Sequence, residues 1–358
     1  MLALGMMSGT SLDGVDAAMI DTDGEAIAGF GRSGFRAYGR EERGCLRAAL
    51  GSWPEALDPE VEPLVRQAHA GLAADFPEAE VVGFHGQTLA HDPAGRGTHQ
   101  AGRGDLLARD IGRPVVWDFR AGDVACGGEG APLVPFFHFA CARAIGATAP
   151  VAFLNLGGVG NVTWVDPRQP APEGPGALLA FDTGPGNALL DDFLFRRRGL
   201  PFDPDGEVAA AGRADARILA RLASHEWLQR PPPKSLDRQD FHGFLDQVEA
   251  LSTEDGAATL AAITLACVAA AARFFPESPS RWLVAGGGRR NRTLLAGLAA
   301  QANAPVEAVE AVGLDGDMLE AQAFGFLAVR VLRGLPTSAP TTTGVRHPVS
   351  GGRISRPG

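Results

Sequence analysis

The chain has 358 residues, of which 45% are hydrophobic and 21% charged, with a formal net charge of -10. That length allows two domains with separate cores, and the composition is ordinary for a soluble globular protein. The negative balance excludes a general nucleic-acid binder, which needs a basic face. No signal-peptide pattern opens the sequence. No apolar stretch reaches membrane-spanning length without polar interruption; the nearest, 257–275, carries Thr259, Thr264 and Arg273 and reads as a buried core helix. A cytoplasmic protein without a membrane partner is the expectation. Cys45, Cys126, Cys141 and Cys267 form no C-x-x-C pair and read as small buried hydrophobes in a reducing compartment. The eight histidines are scattered and give no zinc-site spacing.

Leu2 to Met7 and Val15 to Ile20 are apolar runs around a small, polar, glycine-bearing stretch, the pattern of a β-hairpin. The backbone N–H groups of this turn, with the hydroxyls of Ser8, Thr10 and Ser11, suit an anion. Asp13 and Asp16 would repel a bare phosphate but suit one that carries magnesium. No Gly-Lys-Ser or Gly-Lys-Thr follows, so this is not a Walker loop. An ordinary hairpin with a serine-rich turn is the alternative reading.

A third strand over 26–37 follows, then helices over 41–50 and 61–76. In the second helix Val61, Leu64, Val65, Ala68, Leu72 and Phe76 share one face. A short strand, 80–84, ends at His85-Gly86-Gln87-Thr88, and α/β sheets place their sites at such strand ends. A helix over 104–111 and a strand over 114–117 lead to Asp118-Phe119-Arg120. The Gly- and Pro-rich stretch 121–135 is the expected crossover between domains, with a helix over 133–145 after it.

The second half opens like the first. Strands over 151–156 and 161–165 flank Gly157-Gly158, so a duplicated architecture is expected. A strand over 178–181 leads into Asp182-Thr183-Gly184-Pro185-Gly186-Asn187 and a helix. An acid at a strand end before a glycine turn is a frequent catalytic placement, and also the place of an N-cap. Lys234 is the only lysine. It marks either a site that needs a compact ammonium or a residue kept by chance. A strand over 282–285 precedes Gly286-Gly287-Gly288, where a ligand can lie against bare backbone. The final helix runs over 318–332, and the tail from 335 is expected to be mobile at its end.

Taken in order, these motifs resemble the anhydro-N-acetylmuramic acid kinase family. The matching stretches are Gly5-Met-Met-Ser-Gly-Thr-Ser-Leu-Asp-Gly-Val-Asp16, His85-Gly-Gln-Thr88, Asp118-Phe-Arg120 and Gly127-Gly-Glu-Gly-Ala-Pro-Leu133. They continue with Asn155-Leu-Gly-Gly158, Asp182-Thr-Gly-Pro-Gly-Asn187, Pro232-Pro-Lys-Ser235, Gly286-Gly-Gly288 and Glu320-Ala321. Glu129, Leu236-Asp237 and Gln100 to Asp105 depart from the usual pattern.

The resemblance implies an α/β fold with two actin-like, ribonuclease H-like domains flanking an ATP cleft. The expected domains are 1–130, with the tail 335–358 packing back on it, and 131–334. It implies a kinase that uses ATP and Mg²⁺ to open and phosphorylate an anhydro sugar, a small-molecule substrate, in peptidoglycan recycling. A plain sugar kinase of the same fold is the alternative, and a homodimer is left open. Asp182 is the implied general base. Gly9, Thr10, Ser11, Leu12, Asp13, Gly14, Val15 and Asp16 are the implied phosphate turn, with Asp13 the metal ligand. Asn155, Gly157 and Gly158 would meet the phosphates, and Gly286, Gly287 and Gly288 the adenosine. His85, Arg120 and Glu320 would contact the sugar.

Overall fold

The computed structural model describes residues 1–236 and 238–358. It forms two compact units, residues 1–144 with 318–358, and residues 145–317.

In the first unit, β1 (Leu2–Ser8), β2 (Gly14–Thr22) and β3 (Ile27–Ala37) make an antiparallel meander. Helices α1 (Arg40–Ala49) and α2 (Val61–Ala73) follow. Val61, Val65, Ala68 and Leu72 turn one face of α2 into the core, as helical spacing requires. Strand β4 (Val81–Asp92) then enters parallel beside β1, and β5 (Gly97–Ala101) folds back on it. Helix α3 (Gly104–Ile111) leads to β6 (Val115–Trp117), parallel to β4. Helices α4 (Ala121–Ala125) and α5 (Pro135–Ala144) end this part.

The second unit repeats the plan. Strands β7 (Val151–Leu156), β8 (Val159–Val165) and β9 (Leu178–Pro185) form an antiparallel meander. Helices α6 (Ala188–Arg198), α7 (Glu207–Ala210), α8 (Ala216–Ala223), α9 (Gly243–Val248) and α10 (Thr253–Ala271) intervene. Strand β10 (Trp282–Ala285) lies parallel to β7, and β11 (Val306–Ala308), reached through α11 (Arg292–Gln301), lies parallel to β10. Both sheets therefore share a five-strand order, a meander on one side and two parallel strands on the other. This is the duplicated α/β architecture expected from the two related hairpins.

The segment Thr253–Phe274 is long and apolar enough to span a membrane by length and composition, contrary to the sequence reading. Here it is the core helix of the second unit, capped by the Ser252 hydroxyl and buried along most of its length. All four cysteines are free; Cys141 and Cys267 are buried, but Cys126 is exposed.

Two strands run longer than expected. Strand β4 continues through His85 to Asp92, because Gln87 pairs with β1 and Gln87 to Asp92 pair with β5. Polar side chains hid it from a pattern reading, since alternation is the usual strand signal. Strand β9 continues through Asp182 to Pro185, so Asp182 lies within the strand and caps no helix. Gly184 looked like a turn residue. Its actual constraint is the close approach of α10: a Cβ there would sit 2.7 Å from Cys267 Cβ.

The chain then returns to the first unit. Helix α12 (Leu319–Leu332) is followed by α13 (Pro340–Thr343) and β12 (Arg353–Ser355), which pairs with β6. The tail is thus part of the sheet. Helix α12 lies against the strands backbone to backbone. A Cβ on Gly5 would fall 1.7 Å from the Ala321 carbonyl oxygen, and one on Gly83 2.0 Å from that of Phe324. Neither neighbour is a side chain that can swing away. Gly83→Ala should therefore destabilise by more than about 3 kcal/mol, beyond the usual overpacking range. Gly71→Ala, on α2 with nothing near its Cβ position, should gain up to about 1 kcal/mol. Urea unfolding of the two variants checks the contrast.

Candidate active site

In the first unit the opening turn is held from beneath. Gln87 is fully buried; its Oε1 accepts from Ser8 Oγ at 2.6 Å, and its Nε2 donates to the Gly9 carbonyl at 3.2 Å. Ser8 Oγ also lies 3.0 Å from Tyr38 Oη. Leu12 adopts φ 58°, and its N–H closes the turn onto the Gly9 carbonyl. Leu12 and Val15 bury their side chains, so these positions offer only backbone. Gly14 is buried as well, while Thr10, Ser11 and Asp13 are exposed and Gly9 and Asp16 are half-buried. Asp13 Oδ1 accepts from Ser11 Oγ at 2.8 Å and from Gly14 N at 3.0 Å. Gln87 is the residue that a reading of His85 alone misses; its motif pointed to it.

His85, Arg120 and Glu320 come together in the same unit. Arg120 Nε donates to His85 Nε2 at 3.1 Å, so the proton of the neutral ring sits on Nδ1 and is given to the Gly86 carbonyl at 2.8 Å. Burial, with the Arg120 charge beside it, holds His85 well below its usual range. Arg120 also donates to the Gly130 carbonyl, and Gly130 N–H is held in turn by Asp123. Glu320 keeps an open face to solvent. Protein crowds its other sides; that crowding raises its carboxyl, while Arg120 pulls it back.

In the second unit three glycine-bearing segments pack on one another. Asn187 N–H donates to the Gly157 carbonyl at 2.7 Å, and Gly186 N–H to that of Gly158 at 3.0 Å. Asn187 Nδ2 donates to the Leu156 carbonyl. Gly286, at φ 72°, brings its backbone so near Asn155 that a Cβ would lie 2.3 Å from Asn155 Oδ1. Arg289 is buried beside this triplet, donating to the Gly286 carbonyl and to Glu310, and paired with Asp317. Gly158 and Gly287 remain exposed, offering bare backbone, and Gly288 is buried. Asn187 and Arg289 were not foreseen as site residues. The strand-to-helix position of Asn187 was the available signal.

Asp182 stands on β9 opposite Asn161. Its Oδ2 accepts from Leu236 N–H at 2.9 Å, and its own N–H donates to the Lys234 carbonyl at 3.1 Å. Asp182 is densely surrounded yet as a residue only half-buried, which leaves it a path to water. Burial pushes it up to about 6, against the opposing pull of Leu236 N–H and the Lys234 charge. A carboxylate so poised can take a proton near neutral pH. Leu236 makes its contact through backbone, so its departure from the family pattern costs nothing there. Asp237 lies outside the described residues.

The family model described as anhydro-N-acetylmuramic acid kinase matches residues 1–357. An anhydro-N-acetylmuramic acid kinase from Cereibacter sphaeroides is 61% identical over 99% of this chain and 96% of its own length. One from Ruegeria sp. is 56% identical over 99% and 95%. A ROK family glucokinase from Streptomyces griseus, solved with glucose and AMPPNP, aligns at a TM-score of 0.44 and 15% identity, covering 92% of this chain and 99% of that one. With the family's motifs in order and full-length relatives at these identities, the chain belongs to the anhydro-N-acetylmuramic acid kinase family.

Proposed function

We propose that this enzyme opens the 1,6-anhydro ring of anhydro-N-acetylmuramic acid with water and transfers the ATP γ-phosphoryl group to the freed 6-oxygen. The products are N-acetylmuramic acid 6-phosphate and ADP, as peptidoglycan recycling in the cytoplasm would require. The observation that carries this reading is Asp182: a carboxylate raised to about 6, oriented by Leu236 N–H and still open to water.

Asp182 takes a proton from water, and the water oxygen bonds to the anomeric carbon. The bond from that carbon to the bridging 6-oxygen breaks, leaving its electron pair on the oxygen. That oxygen attacks the γ-phosphorus, and the bond to the ADP oxygen breaks. The leaving group of the first step is the nucleophile of the second, so no separate acid is required for it. An ordinary glycosidase needs a second carboxyl for that purpose. In the first unit, the Gly9–Asp16 turn suits the ATP phosphates, and Arg120, His85 and Glu320 suit the hydroxyls and lactyl carboxylate of the sugar. In the second unit, Asn155, Gly157 and Gly158 suit phosphate, and Gly286 to Gly288 suit adenosine.

Among the described residues no three His, Cys, Asp or Glu side chains cluster as a metal cage. Mg²⁺ does not need one; it is commonly held by one or two carboxylates and the substrate phosphates. Asp13, exposed at the turn, fits that role. Mg²⁺ would neutralise charge on the phosphates.

Product analysis in heavy-oxygen water tests the reaction. The label should enter at the anomeric carbon, with the phosphate ester oxygen unlabelled. A phosphate ester with the anhydro ring intact would instead establish the plain sugar kinase.

Asp182→Asn should lower turnover by at least the ~10²–10⁴-fold typical of a lost general base, with sugar product and ADP falling together. Substantial turnover in a folded variant would remove Asp182 as the base. The same variant has a stability signature. The folded state raises Asp182 from 3.8 to about 6, so it binds that proton more tightly than the unfolded chain does. Stability contributed by the protonated form is present below the unfolded value and is lost as pH rises through the folded one. Asp182→Asn should therefore be more stable than wild type above pH 6, by up to about 3 kcal/mol. The difference should vanish near pH 3, as thermal unfolding across pH can show.

The turn gives a further test. A Cβ at Gly9 would meet only Ser11 Oγ, at 3.6 Å. Gly9→Val should then fold normally but weaken ATP binding at least about tenfold, or 1.4 kcal/mol. Unchanged affinity by calorimetry would exclude the turn from the phosphate site.

A further inference from the structure

We propose that Lys234 is a positioning residue for Asp182: its caged ammonium pins the 231–236 strap to strand β9 and keeps a positive charge within electrostatic reach of the carboxylate. The inference rests on Asp182 as the base.

Lys234 is 4% exposed. Its Nζ lies 4.6 Å from the Trp227 ring centroid, 5.2 Å from Phe274 and 5.7 Å from Phe181. It donates to the Trp227 carbonyl at 3.0 Å. Cation–π attraction to three rings stands in for the water that the ammonium has lost. A guanidinium would bring five donors into a space with one carbonyl acceptor in view. That explains a lysine here in a chain whose other fixed cations are all arginine.

The contacts close a ring. Lys234 Nζ holds the Trp227 carbonyl, and Trp227 Nε1 donates to the Thr183 carbonyl at 2.9 Å. Asp182, next to Thr183, donates its N–H to the Lys234 carbonyl. Two residues beyond Lys234, Leu236 N–H holds the carboxylate. One side chain thus ties the strap that orients the base at both its backbone and its carboxyl. The charges acting on Lys234 are Arg273, just after α10, Cys267 on α10, Arg230 before the strap and Asp182 itself. Of these, Asp182 carries the negative charge at neutral pH, because burial pushes the Cys267 thiol up to about 12.

The test is the pH profile of kcat/KM for Lys234→Met and Lys234→Arg. Methionine fills the aromatic cage but carries no charge. Without the ammonium, Asp182 should hold its proton more tightly, so the acidic limb should move to higher pH by about half a unit or more. The plateau should fall, with the KM for ATP nearly unchanged. Arginine keeps a charge but not the fit, so its limb should stay in place while the plateau falls several-fold. A loss uniform across pH in Lys234→Met would mean a merely structural role and overturn the proposal, as would a wild-type profile.

If Lys234→Met fails to fold, the single lysine offers another readout in wild type. A chain labelled with 13C at lysine Cε gives one lysine signal. It should be shifted upfield by the rings, titrate near 8 as burial lowers this lysine, and show a second inflection that Asp182→Asn removes. An unshifted signal titrating like a free lysine would overturn the proposal. Turnover in Asp182→Asn would instead defeat the general-base reading and this inference with it. An inactive Asp182→Asn beside an unmoved Lys234→Met limb would defeat this inference alone.

Discussion

The arrangement of the first unit depends on how closely helix α12 approaches its sheet. Gly5 on β1 and Gly83 on β4 leave no room for a side chain between strand backbone and helix backbone. Gly325 completes the contact from the helix side, its own Cβ position lying 3.0 Å from Gly5 N. That approach fixes the height of α12 above the strands, and so the place of Glu320 at its first turn. It also seats Phe324 against the ring of His85, 4.5 Å between centroids, and against that of Phe119 at 5.2 Å. His85, Arg120 and Glu320 come from residues far apart in sequence. A glycine contact, with no chemistry of its own, holds them in one place.

The second layer of control is a set of buried polar residues, each tying one loop to one strand. Gln87 ties the opening turn to β4. Asp123 accepts from Gly130 N–H, Ser338 Oγ and Thr343 Oγ1, and so ties both the crossover loop and the tail to the base of Arg120. Arg289 ties the glycine triplet to Glu310 and Asp317. Lys234 ties the proline strap to Trp227. Each of these groups is costly to bury alone and favourable once all its partners are present. Apart from core anchors such as Leu12, much of these loops is exposed backbone and small residues, which supply little packing energy themselves. Buried polar partners supply the order that packing does not.

Much of this was legible in the sequence, and the failures have physical reasons. Two hairpins with glycine turns revealed the duplicated sheet, because a strand's period of two and its turn residues are local signals. Asp182 stood out as an acid before a glycine run, although the run turned out to be strand and not turn. Gly184 misled because glycine is demanded as often by a neighbouring helix as by a bend. The polar stretch of β4 misled because a strand lined with satisfied hydrogen-bond partners loses its hydrophobic alternation. The short strands β5, β11 and β12 are read only from their pairing, which is not local. Gln87, Asn187 and Arg289 lay in or beside recognised motifs, but their roles depend on partners that spacing cannot name.

The environment of Asp182 fits the proposed general base: one backbone N–H holds the carboxylate and one cation acts on it from a distance. A base must be desolvated enough to hold a proton near neutral pH, yet ionised enough to accept one. Burial alone would push the carboxyl too far toward its neutral form. A second carboxylate-binding side chain, such as an arginine fork, would hold it too far the other way and leave it a weak base. One backbone N–H from Leu236 and one cation set aside in an aromatic cage are intermediate supports. They orient the carboxylate and moderate its rise to about 6 without neutralising it. The ionised carboxylate remains a strained element of the folded state, less stable than a neutral amide would be in its place. In the proposed role of general base, function and stability are opposed at this residue, and the strap that carries Lys234 and Leu236 moderates the opposition by holding the charged form.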